Sequence, residues 1–335
     1  MKPGPLLTIS AILLVFAGMT ATADSPIAIA IHGGAGTISR STVTVEQEQA
    51  IREKLLEAIT AAYQVLKNDG DSMDAVISAI KILEDSPHFN AGKGSVFSWD
   101  GKNEMDAALM DGASLDAGAI AGVANIANPI VLARLVMQNS EHVFLSGAGA
   151  VEFAIEQGME KVPDQYFFTE RRWQQLQDLK DDPELAAAEP KYRIGTVGAV
   201  ALDRRGNLAA GTSTGGTTGK RYGRIGDSPI IGSGTYANNR SVAVSATGTG
   251  EFFIRGTVAH DISALVEYKG MTVDDAAREV IFEKLVALKG DGGVIAIDRH
   301  GNISMPFNTV GMYRASIDTT GKVNILLYDE TVEAD

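Results

Sequence analysis

Threonine and glycine are the residues whose types and spacing in this chain could do chemistry. Gly195-Thr196 stands where a charged, amide-rich stretch gives way to a strongly β-patterned run. Thr212, Thr214, Thr217 and Thr218 follow within one glycine-rich loop, and Thr247-Gly248-Thr249-Gly250 ends another strand-like run. A single threonine on a strand reflects plain β-propensity; here the combination carries the signal. A threonine hydroxyl is a weak nucleophile without an adjacent base, and the α-amine of an N-terminal threonine can be that base. With an unperturbed pKa of about 8, such an amine is substantially neutral near physiological pH. Thr196 would first have to become N-terminal, and glycine before it tolerates the strained backbone that attack on the preceding carbonyl requires. Arg224 and Asp227, three apart in Gly223-Arg224-Ile225-Gly226-Asp227-Ser228-Pro229, complement a free amino acid. A guanidinium fork pairs with an α-carboxylate, and a carboxylate pairs with an α-ammonium. The same spacing equally suits an ordinary loop salt bridge.

Other chemistries are excluded by composition and context. The chain has no cysteine, which removes disulfides, thiolate zinc sites, iron–sulfur clusters and a cysteine nucleophile. Its five histidines, His32, His88, His142, His260 and His300, show no HxxxH or HxxH spacing. A net charge of −13 opposes the basic face that nucleic-acid binding needs. Gly211-Thr212-Ser213-Thr214-Gly215 matches G-x-S-x-G, but further glycines follow where a nucleophile elbow needs a helix. No phosphate-binding loop or G-x-G-x-x-G follows a strand.

The elements that must position these residues are legible in outline. The first 23 residues read as a secretory signal: Lys2, an apolar run from Leu6 to Phe16, then Ala21-Thr22-Ala23. The protein is therefore expected to be exported, periplasmic or secreted. Ile27 to Ile31 predicts a buried strand running into a glycine loop at His32-Gly33-Gly34-Ala35-Gly36. Helical spacing follows over 43–67, and again after Ser72, which is expected to cap the second helix. Residues 89–123 are glycine-studded and strand-like, and helices are predicted over 129–137 and 149–157. From about Met159 a polar helix and an exposed linker are expected, ending near residue 195. Beyond it lie strands over 197–202, 208–212 and 241–246, helices over 251–268 and 273–288, and closing strands over 293–297, 303–305, 311–315 and 323–327. The balance is mixed α and β.

The motifs HGGAG (32–36), FNAGKGSVF (89–97), DAALMDG (106–112), GTVGAVALD (195–203), TSTGG (212–216), GRIGDSP (223–229), YANN (236–239) and ATGTGE (246–251) span nearly all of the chain beyond residue 23. In these the chain resembles the plant-type asparaginase / isoaspartyl peptidase family of N-terminal-nucleophile (Ntn) hydrolases. The resemblance implies an α+β fold, a four-layer αββα sandwich, cut between Gly195 and Thr196 into an α-chain (24–195) and a β-chain (196–335). It makes Thr196 the nucleophile, oriented by Thr214, with Thr247 and the amide of Gly248 as the oxyanion hole. It gives Arg224 and Asp227 the substrate's α-carboxylate and α-ammonium, with Gly250 shaping the pocket, and ties Asn90 and Gly33 to cleavage. It implies a structural sodium on backbone carbonyls of Leu83, Glu84, Ser86, Phe89, Ala91 and Lys93, no cofactor for catalysis, and a dimer of αβ units. Substrates would be β-aspartyl dipeptides and L-asparagine. An export signal departs from the mostly cytoplasmic pattern of such proteins.

Two alternatives stay open on the residues. A glycosylasparaginase-like hydrolase shares the fold, but typically has aspartate before the nucleophile where this chain has Gly195. An exported amino-acid-binding protein would use Arg224 and Asp227 without ever being cut. A sheet-rich interaction module finds no support in repeats or aromatic stripes.

Overall fold

The computed structural model describes residues 25–41, 43–182 and 195–329. The expected signal segment, and residues 183–194 of the expected linker, lie outside them. Two antiparallel-dominated sheets are flanked by helices. The larger has eight strands in the order β12-β11-β1-β5-β6-β2-β3-β4, the smaller four in the order β10-β9-β8-β7. In chain order the strands are β1 (Ala28–Gly36), β2 (Met105–Asp111), β3 (Ala117–Val123), β4 (Phe144–Ser146), β5 (Val197–Leu202), β6 (Leu208–Thr214), β7 (Thr235–Ala237), β8 (Val242–Gly248), β9 (Gly292–Asp298), β10 (Ile303–Ser304), β11 (Gly311–Ile317) and β12 (Val323–Leu326).

Period-two alternation buries both faces of the central strands. Ile29 and Ile31 of β1, and Val197, Ala199 and Ala201 of β5, face helices α1 (Val45–Lys67) and α2 (Ser72–Glu84). Ala28, Ala30, Val200, Leu202, Leu208 and Ala210 face the other way, against Ala243, Ile295 and Ile297 of the small sheet. The opposite face of that sheet, Val242, Val244, Ala246, Val294 and Ala296, packs on α7 (Val258–Lys269) and α8 (Val273–Arg278). These three apolar interfaces make the αββα sandwich. The alanines between the sheets leave room for close approach.

Local signals explain most boundaries. Thr44 accepts from the Gln47 amide, and the Gln47 side chain accepts from the Thr44 amide, a capping box that starts α1. Helix α3 (Pro129–Asn139) carries Pro129 in its first turn, and α4 (Gly147–Glu156) and α5 (Glu170–Asp181) follow it. Three expectations are corrected. Asp71, not Ser72, caps α2 by accepting from Asp74 N, while the Ser72 amide donates to Asp203 Oδ2. The stretch predicted as one helix over 251–268 is broken at Thr257, whose φ is 45°, into α6 (Gly250–Gly256) and α7. The HGGAG segment is not a loop after β1. Pairing with β11 carries the strand to Gly36, beyond the β5 pairing that ends at His32, and the β1–β11 register skips Gly33 as a bulge.

Candidate active site

At one end of the inter-sheet space the same alternation turns from apolar to polar. Counting by twos, Ala28 and Ala30 lead to His32 on β1, and Leu208 and Ala210 lead to Thr212 and Thr214 on β6. Ala243 leads to Ser245 and Thr247 on β8, and Val200 leads back through Gly198 to Thr196, one residue before β5. Strand parity alone therefore points these side chains into one space.

Thr196 Oγ1 donates to Thr214 Oγ1 at 3.0 Å. Thr214 Oγ1 also accepts from the Gly216 amide at 3.0 Å, which fixes its rotamer. Gly195 has φ of +109°, which a side chain would strain. It is wedged: a Cβ on Gly34 would lie 2.3 Å from Gly195 Cα, and one on Gly195 would lie 3.0 Å from Asn90 Cβ. Asn90 fastens the Thr214–Gly216 turn, donating from Nδ2 to Gly216 O at 2.7 Å and accepting Gly215 N at its own carbonyl at 3.0 Å. A cavity of about 570 Å3 lies behind the Gly195–Thr196 bond, lined by Gly33, Phe89, Asn90, Arg172, Gly195 and Tyr313.

Thr247 is tied to the same strand as Gly34. Its Oγ1 accepts from the Ala35 amide at 3.1 Å, which leaves its hydroxyl proton free to donate. Gly248 turns where a side chain would strike Asp291 O and Gly292 Cα, at 2.4 and 2.7 Å. The following turn is pinned by Thr249, whose Oγ1 bonds Asp291 Oδ1 and whose amide donates to Asp291 O.

Arg224 and Asp227 do not pair as an i, i+3 loop bridge. Glu251 instead accepts bidentately from Arg224 Nε and Nη2, both at 3.0 Å, which turns the Nη1 edge toward Gly216 and Gly226. Asp227 is buried, and its Oδ2 has no hydrogen-bond partner. Burial pushes its carboxyl up to about 7. Gly250 sits between the two: a Cβ there would lie 2.8 Å from Asp227 Oδ1 and 3.0 Å from Arg224 Nη2. A positive edge and an unpartnered buried carboxylate oxygen thus flank one glycine-walled space. That pattern is complementary to an amino acid's own ends.

Sequence reasoning missed several neighbours. Lys220 is buried and donates to the Glu104 carbonyl, and a Cβ on Gly216 would lie 3.4 Å from its Nζ. Asp106, in register with Thr214 across the β2–β6 pair, is buried beside it with Oδ2 unpartnered. Burial raises the Asp106 carboxyl and lowers Lys220. The DAALMDG motif held the Asp106 signal, whereas Lys220 lies between the TSTGG and GRIGDSP motifs and belongs to neither. Thr217 and Thr218 lie farther along; the Thr217 carbonyl accepts the Lys220 amide.

The segment Leu83 to Lys93 joins the end of α2 to the site. Its carbonyls close on two glycines: a Cβ on Gly92 would lie 2.4 Å from Glu84 O, and one on Gly94 would lie 2.1 Å from Phe89 O and 2.8 Å from Pro87 O. The segment is thus tightly curled, with the carbonyls of Glu84, Pro87 and Phe89 close against these two glycines. Ala91 O accepts from Gly94 N, Ser86 Oγ accepts from His88 N, and Lys93 Nζ lies over the Tyr166 ring. Among the described residues no three His, Asp or Glu side chains converge to hold a metal.

Known proteins resemble this chain over most of its length. The sequence profile described as asparaginase matches residues 25–327. The isoaspartyl peptidase of Escherichia coli (strain K12) is 50% identical over 293 residues, covering 86% of this chain and 91% of the relative. The isoaspartyl peptidase/L-asparaginase of Mus musculus is 42% identical over 307 residues, covering 89% and 93%. That of Homo sapiens is 41% identical over 278 residues, covering 83% and 88%. A profile spanning both sheets, and relatives matched over most of their length, establish that this chain is an enzyme of the asparaginase family of hydrolases.

Proposed function

We propose that the chain is a self-cleaving N-terminal-threonine amidohydrolase that releases L-aspartate from β-aspartyl dipeptides and L-asparagine. The supporting observation is the Thr196–Thr214 hydroxyl bond beside a glycine held at φ +109° between Gly34 and Asn90. In maturation, Thr196 Oγ attacks the Gly195 carbonyl carbon. The C–N bond breaks as the amine takes a proton, leaving an ester. Water then hydrolyses the ester, giving a Gly195 carboxylate and a free Thr196 α-amine.

In turnover the α-amine accepts the Thr196 hydroxyl proton as Oγ attacks the substrate's β-carbonyl. Thr247 Oγ1–H and the Gly248 amide donate to the oxyanion. The leaving amine, or ammonia from asparagine, departs with the proton, and water hydrolyses the β-aspartyl ester. Arg224 holds the α-carboxylate and Asp227 the α-ammonium. The two substrates share both handles, so one pocket serves both. Gly33 and Asn90 shape the cleavage region.

The carbonyls of the Leu83–Lys93 curl hold a structural monovalent cation, sodium in the first instance, which would stiffen the segment carrying Asn90. Export on the strength of residues 1–23, and assembly as a dimer of αβ units, complete the proposal. The test is L-aspartate release from a β-aspartyl dipeptide and from L-asparagine by wild type and Thr196→Ala. Release by wild type alone is expected. Amino-acid binding with no release by either protein would favour the uncleaved binding protein instead.

A further inference from the structure

A buried file of four side chains ends on the Thr196 carbonyl. His32 Nδ1 lies 3.0 Å from Thr196 O, and His32 Nε2 lies 2.9 Å from Ser245 Oγ. Ser245 Oγ lies 2.7 Å from Thr212 Oγ1, which lies 2.7 Å from Thr235 Oγ1. His32, Thr212, Thr235 and Ser245 are each 0% exposed. The fold keeps space for this file. A Cβ on Gly198 would lie 2.0 Å from Ser245 Oγ and 2.4 Å from His32 Nε2, so β5 accommodates the histidine–serine bond by lacking a side chain there.

The protons in the file run one way. A carbonyl only accepts, so Nδ1 must carry the hydrogen. Burial holds the imidazole pKa down to about 3, so the ring is neutral and Nε2 is a bare acceptor. Ser245 must then give its single proton to Nε2. Its contact with Thr212 requires the Thr212 hydroxyl to donate, and the next contact requires Thr235 to donate. The alternative acceptors, Gly234 O for Thr212 and Ser228 O for Thr235, lie farther away at 3.1 and 3.0 Å.

We propose that His32 is a positioning residue, locked as its Nδ1–H tautomer by the Thr235→Thr212→Ser245 hydroxyl chain so that it holds the Thr196 carbonyl during turnover. This inference rests on Thr196 being the nucleophile. Before cleavage the chain restrains Thr196 from both sides. Afterwards the N-side tether is gone, while the α-amine and Oγ must stay aligned with Thr214. A donor fixed on the carbonyl holds the Thr196–Val197 peptide plane, the frame from which both groups project.

Nitrogen-15 NMR of histidine-labelled wild type tests the tautomer directly, with His32 assigned by difference from His32→Asn. A proton on Nδ1 and a bare Nε2 are expected; a proton on Nε2, or on both, overturns the proposal. This readout needs no variant to be active. Kinetics test the role. The Asn amide can occupy the place of Nδ1 and the Gln amide that of Nε2. His32→Asn is expected to keep kcat within about threefold, and His32→Gln to lose about tenfold in kcat with KM little changed, the worth of one buried hydrogen bond. Equal losses in the two variants, or losses in KM instead of kcat, would reduce His32 to a structural role. Turnover by Thr196→Ala would instead remove the nucleophile reading, whatever the tautomer.

Discussion

Gly34 packs against Gly195 with no room for a side chain between them: a Cβ on Gly34 would lie 2.3 Å from Gly195 Cα, and Gly34 itself has φ of +113°. The HGGAG segment thereby serves three neighbours at once. His32 reaches the Thr196 carbonyl, Gly34 abuts the glycine before it, and the Ala35 amide fixes the Thr247 hydroxyl. Gly34→Ala is expected to slow self-cleavage at least tenfold, because the clash is with backbone that cannot turn aside. Gly147→Ala is the control. Gly147 also has positive φ, +55°, but open space around it, so only backbone strain of about 1 kcal/mol is expected and cleavage should be normal. Intact-mass time courses of both variants would show the difference.

Asp227 predicts a pH dependence of binding. Its carboxyl is pushed up to about 7 by burial, and it must be ionised to pair with an α-ammonium. Inhibition by L-aspartate should therefore tighten about tenfold per pH unit on approach to 7 from below, then level. Asp227→Asn should abolish that limb and weaken inhibition about thirtyfold or more, the worth of a charged hydrogen bond. Because the native carboxyl titrates above its unfolded value near 4, Asp227 makes the unliganded protein less stable as pH rises from about 4 to 7. Thermal melts across that range should show the wild type losing more stability than Asp227→Asn.

Glu251 holds Arg224 by two bonds, yet its side chain is 56% exposed. A pair that open contributes under about 1 kcal/mol to stability. Its expected role is orientation, keeping the Arg224 Nη1 edge toward the pocket. Glu251→Gln should leave the melting temperature nearly unchanged while raising KM several-fold for both substrates. An unchanged KM would show that the fork needs no such partner.

Much of this site was legible because it is written in strand parity and short motifs. Thr196, Thr214, Arg224, Asp227 and the TGTG turn stood out as residue types before any geometry, and the β-patterned runs over 197–202 and 208–212 marked β5 and β6 as strands. What was not legible is long-range. Arg224 takes its partner from Glu251, 27 positions on, and His32 meets Ser245 across 213 positions. Glycine misled at HGGAG because its turn signal was overridden by pairing of Gly34 to Gly36 with β11. The three-residue strands β4 and β7 are too short to show alternation. Thr257 broke a helix that its apolar spacing had favoured as continuous.

The most direct measurement is intact mass of purified wild type beside Thr196→Ala. Two fragments from the wild type, divided between Gly195 and Thr196, and one uncut chain from the variant are the predicted result. A wild-type chain that stays whole after prolonged incubation, or a variant that still divides at the same bond, would contradict the account of Thr196 as the self-generated nucleophile.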